Sequence, residues 1–382
     1  MGMLPEYYKL DDEQKEFVDN KDINQGNFWI KGFPGSGKSV LLAYTLRRIM
    51  NKTPDAKIIV VVFTHSLIAM FEAMFNEMGL PKPVKIVTYF QFRRSSGNYD
   101  YILCDEVQDL TSDVLSDMNH RGRHVIVSGD ENQSIYEGTV SPSQINGLLN
   151  AQSYTLHMIH RLSQDIIKVV TKFLPSLNLF SSKKDLTKAS VQVILGNARS
   201  KSQEVQYVMK EGERAVRINE TAAILLPTHN SIIEFVNTIL TSKGKPQWNI
   251  TLNNYGKPDF NSLNRHLSSC NVPLQYVGNS YGSFLKGGKI TIMTYHSSKG
   301  LDFDHVFLPC MNNDQFISYD EDLSKVLFMV AMTRSKKNLY ISYSGYKHSY
   351  VDKFSSDCKS VDINNCLAGD SQIGSLNKVF GF

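Results

Sequence analysis

Cysteine is scarce in this chain. The five residues Cys104, Cys270, Cys310, Cys358 and Cys366 form no CxxC pair and no spacing suited to a metal. That excludes a zinc module and a disulfide scaffold, and leads us to expect free thiols in a reducing compartment. Long apolar runs are also missing, since none approaches the roughly 20 residues of a membrane span. The opening MGMLPEYYKLDDEQ has no apolar signal region, and its MG start lacks the later Ser or Thr of a myristoylation signal. A large excess of one charge is absent too: 41 Lys and Arg face 37 Asp and Glu, for a net charge of +4. Composition alone therefore announces no nucleic-acid binding, although a local basic groove is compatible with it. There is no internal repeat and no low-complexity tract. What is left is an ordinary globular composition, 42% hydrophobic and 20% charged, over 382 residues. We expect a soluble cytoplasmic protein of two or three domains, with no membrane contact.

What is present begins at residues 27–50, NFWIKGFPGSGKSVLLAYTLRRIM. FWIKG reads as a short apolar strand and SVLLAYTLRRIM as a helix. Between them GFPGSGKS, Gly32 to Ser39, matches G-x-x-x-x-G-K-[ST]. Strand, loop and helix in that order are the context a phosphate-binding loop requires. Glycines at 32, 35 and 37, with Ser36, let consecutive backbone N–H groups turn inward around an anion, and the helix N-terminus adds its dipole. Lys38 is expected to reach the β- and γ-phosphates of ATP, and Ser39 to hold Mg²⁺.

A hydrolase needs carboxylates beside that cradle. YDYILCDEVQDL, residues 99–110, reads as a strand ending in Asp105 and Glu106. Asp105 is expected to hold Mg²⁺ through water, and Glu106 to orient and deprotonate the attacking water. A third strand, HVIVSGD, is followed by Gln133, whose neutral amide suits hydrogen bonding to a γ-phosphate. Near the other end, VAMTRSKKNLYIS places Arg334 where an apolar helix gives way to a strand. On residues alone, Arg334 reads equally as a helix-terminal surface cation.

In order along the chain, these segments resemble the motifs of the UvrD/Rep-like branch of superfamily 1 helicases. Gln14 in LDDEQKEFV resembles the adenine-reading Q motif, GFPGSGKS motif I, VVFTHS motif Ia and VTYFQF motif Ic. DEVQD resembles motif II, SGDENQSIY motif III and LHMIHRLSQDI motif IV. ITIMTYHSSKGLDFDHVFLP resembles motif V, and VLFMVAMTRSKKNLYIS motif VI. The resemblance implies an α/β P-loop NTPase of two tandem RecA-like domains with parallel sheets and an ATP site in the cleft between them. It makes Arg334 and Arg161 cations that meet the transferring phosphoryl, stabilising its charge on closure. It sets His160 where a stacking tyrosine is usual, and Asp302, after Gly300, where a glutamate usually faces the ribose. Phe90 stands where histidine is frequent, and the aromatic that usually follows Tyr136 is missing. The resemblance also implies strand contacts at Phe63, Thr64, Thr88, Phe90, Tyr136, Thr294 and His296. Phe63, Phe90 and Phe92 read equally well as core residues at strand ends.

We expect the N-terminal domain to span 1–153 and the C-terminal one 154–382, with VSPSQINGLLNAQS as the exit and YTLHMI as the first strand of the second. VQVIL, AAILL, LQYVG, KITIMT, DHVFL and NLYIS are its further expected strands, while SSKKDLTKAS and NARSKSQ read as polar loops. Only RRSSGN separates VTYFQF from the strand before DEVQD, where large relatives carry a helical subdomain, so the form is minimal. The function expected is ATP-dependent translocation on single-stranded DNA, 3′ to 5′, with helicase activity and with RNA as the alternative strand. The competing expectations are an ATPase motor or switch subunit of a repair or defence complex that unwinds little alone and works with a protein partner, and a switch that acts without nucleic acid.

Overall fold

A computed structural model describes residues 4–130, 139–160, 162–175, 183–184, 192–278, 281–283 and 288–367. The chain divides into two compact units. One comprises Met1–Arg161 with Leu179–Thr187, and the other Leu162–Asn178 with Lys188–Phe382.

The N-terminal unit alternates helices and strands. It runs α1 (Asp12–Asn20), β1 (Asn27–Gly32), α2 (Lys38–Lys52), β2 (Ile58–Val62), α3 (His65–Met78), β3 (Lys85–Thr88), α4 (Tyr89–Arg94), β4 (Tyr99–Cys104), α5 (Ser112–Arg121), β5 (Gly122–Gly129), α6 (Pro142–Leu149) and β6 (Ala151–Leu156). The six strands form one parallel sheet in the order β3-β2-β4-β5-β1-β6. Ile59, Val60, Val61, Val62, Ile102, Leu103, Val125, Ile126 and Val127 are all buried, as expected for strands covered on both faces. In α2 Leu42, Leu46, Ile49 and Met50 recur at helical spacing and are buried. Burying each such leucine is worth about 1.5–3 kcal/mol. A short parallel pairing joins β7 (Met158–Ile159) to β8 (Lys183–Lys184).

The second unit carries α7 (Gln164–Phe173), β9 (Val193–Ala198), α8 (Lys201–Arg217), β10 (Ala222–Leu226), α9 (His229–Ser242), α10 (Phe260–Ser269), β11 (Leu274–Tyr276), β12 (Ile290–Thr294), β13 (Phe303–Leu308), α11 (Glu321–Met332), β14 (Ser335–Ser344), α12 (Ser349–Asp352) and β15 (Lys359–Asp362). Its seven strands are parallel, in the order β11-β12-β10-β13-β14-β9-β15. Phe235, Leu263, Tyr276, Ile292 and Phe307 lie in its core. Phe173 of α7 meets Phe328 of α11 edge to face, with centroids 5.2 Å apart.

Three sequence readings are corrected here, and one element is added. YTLHMI does not open the second sheet: its first residues belong to β6, which runs alongside β1 from Asn27↔Ala151 to Gly32↔Leu156. At the sheet's edge β6 buries only Leu156, so its polar sequence hid it. VSPSQINGLLNAQS is no exit, since it folds as α6, capped by Ser141, and leads into that strand. NARSKSQ is no loop: Ala198 closes β9, and Ser200 caps α8 by accepting from Gln203 N at 3.3 Å. That Ser-x-x-Gln start is a helix signal in its own right. The tail after Tyr350 contributes the edge strand β15, and Ile363 packs so closely on Gly196 that a Cβ there would lie 2.8 Å from it.

Candidate nucleotide site and candidate nucleic-acid surface

Three neighbouring strands of the first sheet, β4, β5 and β1, end side by side. The loop after β1 turns through Gly35 and Gly37, with φ of +78° and +84°, before α2 begins at Lys38. Side chains rarely adopt that conformation. At Gly37 a Cβ would also lie 2.3 Å from the Gln14 amide nitrogen, and at Gly32 one would lie 2.4 Å from Ser36 Oγ. The loop is therefore packed from beneath by its own chain. Lys38 folds back over it, donating to the Gly32 carbonyl at 2.8 Å and the Phe33 carbonyl at 3.2 Å. Those weak neutral acceptors hold an ammonium group where a phosphate oxygen would compete well for it.

Asp105 and Glu106 follow β4, and both are buried. Ser39 Oγ donates to Asp105 Oδ2 at 2.6 Å, and Ser128 Oγ, at the end of β5, donates to the other carboxylate oxygen. Burial pushes the Asp105 carboxyl up to about 6, with the Glu106 charge adding to the rise and the two hydroxyls opposing it. Such a carboxylate gains from a nearby cation. Glu106 has a left-handed backbone, φ 55°, a conformation that costs a non-glycine residue energy and that neighbouring bonds must hold. Gln108 does so: its amide donates to Glu106 Oε2 at 2.5 Å and accepts from Asp130 N at 3.1 Å. Gln108 and Ser128 escaped the sequence reading. The only signal for them was their place inside DEVQD and at the end of HVIVSG.

The Q-motif side is equally tied together. Gln14 and Asp11 form a capping box at the start of α1, and the Gln14 amide donates to the Ser36 carbonyl at 3.0 Å. His160 N donates to the Gly35 carbonyl at 2.9 Å, while its ring Nε2 meets Asp11 Oδ2 at 2.5 Å. Asp11 thus joins two residues expected near the adenine, and hydrogen bonds to His160 and Gln14 hold its carboxyl below the usual range despite burial. Asp11 was missed, although a capping residue three positions before Gln14 was readable. Gln133, Tyr136 and Arg161 lie outside the described residues.

In the second unit Arg334 is 1% exposed at the end of α11. Its guanidinium donates to the carbonyls of Val330 at 2.8 Å and Leu301 at 3.3 Å, and to Thr333 Oγ1 at 2.9 Å. It is no loose surface cation. Gly300 has φ +78°, and Asp302 pairs with Lys336 at 3.1 Å. Thr294 is buried at the end of β12 and caps the following turn by accepting from Ser297 N at 3.1 Å. His296 lies in that turn, and burial lowers its pKa.

The candidate strand residues of the first unit gather at the adjacent ends of β2 and β3. Phe63 stacks on Tyr89 with centroids 5.0 Å apart. Thr64 caps α3, and Thr88 caps α4 in a capping box with Gln91. Phe90 is 52% exposed beneath the Arg94 guanidinium, whereas Phe92 is fully buried and serves the core.

Two families match this chain. Residues 14–139 match the AAA domain, and residues 274–346 match the UvrD-like helicase C-terminal domain. In these two segments the chain is similar to UvrD-like helicases. Its fold is that of a P-loop NTPase with two parallel-sheet α/β domains. It is 41% identical over 87 residues to DNA helicase II of Rickettsia typhi, a match covering 20% of this chain and 13% of that one. It is 24% identical over 277 residues to a putative ATP-dependent DNA helicase of Acanthamoeba polyphaga mimivirus, covering 66% of this chain and 36% of that one. The chain thus spans a minor part of these relatives' length. An arterivirus nonstructural protein 10 helicase solved with DNA aligns over 86% of this chain and 62% of its own, at 14% identity and a TM-score of 0.42, too loosely to carry an argument. Among the described residues no helix is long and apolar enough to cross a membrane.

Proposed function

We propose that this protein hydrolyses ATP to move along single-stranded DNA in the 3′ to 5′ direction. The observation that carries the reading is the bond of partly buried Ser39 to buried Asp105 at 2.6 Å, with buried Glu106 next in the chain and Lys38 folded back on the loop. A hydroxyl and a carboxylate are the oxygen donors Mg²⁺ prefers. Ser39 and Asp105 would hold it, directly or through water, and the ion would neutralise charge on the phosphates. Lys38 would exchange its two carbonyl partners for phosphate oxygens. Glu106, fixed by Gln108, would accept the proton of the attacking water. Asp11, Gln14 and His160 would line the adenine, with Gly300 and Asp302 toward the ribose. Gln133, Arg161 and Arg334 would answer to the γ-phosphate.

Strand contact is assigned to Phe63, Thr64, Thr88, Phe90, Tyr136, Thr294 and His296. Stacking on exposed rings needs no particular base. Only residues 95–98 separate α4 from β4, so the chain has little structure there with which to grip a duplex. We therefore expect translocation to outpace unwinding, with efficient unwinding, in a cytoplasmic setting, depending on a protein partner. Strand separation needs about 1.4 kcal/mol per base-pair step, which ATP hydrolysis readily supplies, so the limit is geometric.

The experiment is displacement of streptavidin from biotinylated single-stranded DNA by the purified chain with ATP. Faster release from the 5′ end than from the 3′ end is expected. The opposite preference would overturn the polarity, and ATP-independent release at both ends would overturn the motor.

A further inference from the structure

One segment of the second unit has no place in the mechanism above. Between α9 and α10 the chain makes a tight turn. Leu252 bridges Pro258 in antiparallel fashion, Asn253 N donates to the Lys257 carbonyl at 2.7 Å, and Asp259 N to the Thr251 carbonyl at 2.7 Å. The Asn253 side chain locks the tip: its Oδ1 accepts from Tyr255 N at 2.9 Å and Lys257 N at 3.1 Å, and its Nδ2 donates to Tyr281 OH at 3.0 Å. Gly256 supplies the left-handed residue, φ +69°. On this fixed frame Tyr255 stands 87% exposed, beside Leu252 at 63% and the exposed Lys257. The bonds fix the backbone that carries the ring, so part of the cost of ordering this tip is met before anything binds.

The turn also has a direction. Tyr281, to which it is bonded, packs on Phe260 and Tyr276, and the Tyr276 hydroxyl meets His229 Nε2 at 3.0 Å. The His229 ring also packs on Phe260, with centroids 5.1 Å apart. The rings of His229, Tyr276, Phe260 and Tyr281 therefore pack together behind the turn, and Lys257 adds an exposed cation at its tip.

We infer that residues 251–259 form a strand-binding tip, in which Tyr255 stacks on a base and Lys257 contacts a backbone phosphate of single-stranded nucleic acid. The inference rests on the reading that this chain binds such a strand, and extends it to residues outside the helicase motifs. The test is fluorescence anisotropy of labelled oligo(dT) and oligo(U) with the full chain over a range of salt. Tyr255→Ala is expected to weaken binding by roughly 5- to 150-fold, the range of one lost stacking contact, while Tyr255→Phe keeps it. Lys257→Ala is expected to reduce the slope of log K against log salt by about 0.7, one phosphate on a single strand. Basal ATP hydrolysis without nucleic acid should not change in any of the three. An equal effect on both oligomers fits a ring and a charge that ignore the sugar. If the unsubstituted chain binds and both alanine variants match it, the tip proposal fails alone. If the unsubstituted chain binds neither oligomer, the functional reading fails and takes this proposal with it.

Discussion

The C-terminal edge of the first sheet is built in two ways. At the ends of β1, β4 and β5 the polar residues, all buried except the half-buried Ser39, are bonded within the site: Lys38 to the loop carbonyls, Ser39 and Ser128 to Asp105, and Gln108 to Glu106 and to Asp130 N. At β2 and β3 the threonines spend their hydroxyls on helix caps, and Phe90 stays half exposed. The contrast follows from what each end would meet. Phosphate chemistry draws its rate from polar groups fixed in advance and shielded from water. A strand sliding past needs surfaces that stack and release, so exposed rings and short caps suffice.

The largest effects should come from the buried end. Lys38→Ala is expected to abolish turnover and to weaken nucleotide binding. Glu106→Gln is expected to abolish turnover with binding largely kept, since an amide cannot take the proton. Titration of a fluorescent ATP analogue separates the two, and equal loss of affinity would erase the distinction between their roles. Arg334→Ala should lower turnover by about 10³–10⁵ with ATP affinity little changed, as for other arginine fingers. Because Arg334 is buried and bonded to two carbonyls, a melting curve must accompany the rate, with Arg334→Lys as a control that keeps the charge. Turnover near normal would return Arg334 to a purely structural role.

The exposed end should respond more gently. Phe90→Ala is expected to lose about 1–3 kcal/mol of single-strand affinity, with an unchanged melting temperature because the ring is 52% exposed. A large drop in melting temperature would make Phe90 a core residue after all. Thr88→Ala removes a helix cap and is expected to cost about 1 kcal/mol of stability, read as a small shift in thermal unfolding with nucleotide affinity intact.

This difference in construction also explains what was legible in the sequence. The turn from Gly32 to Ser39 and the acidic end of β4 were readable as local structure because a loop between strand and helix, and a polar run closing an apolar strand, each leave a fixed pattern. The alternating strands and helices were readable from long apolar runs such as IIVVV and AAILL. Edge strand β6 was not, because only Leu156 of its six residues is buried and the rest are free to be polar. The beginning of α8 was mistaken for a loop because its charge outweighed its Ser-x-x-Gln cap. Gln108, Ser128 and Asp11 were invisible as site residues because their work is to hold another side chain, and that depends on neighbours brought close only by the fold.

The central claim is that the buried end hydrolyses ATP in answer to a strand bound elsewhere on the chain. The direct measurement is the steady-state rate of ATP hydrolysis with Mg²⁺, with and without single-stranded DNA, at low salt. The account predicts a large stimulation that is lost as salt rises, because counterion release drives strand binding. A rate that single-stranded DNA and RNA leave unchanged at low salt would contradict it, and would point to a nucleotide switch that acts without nucleic acid.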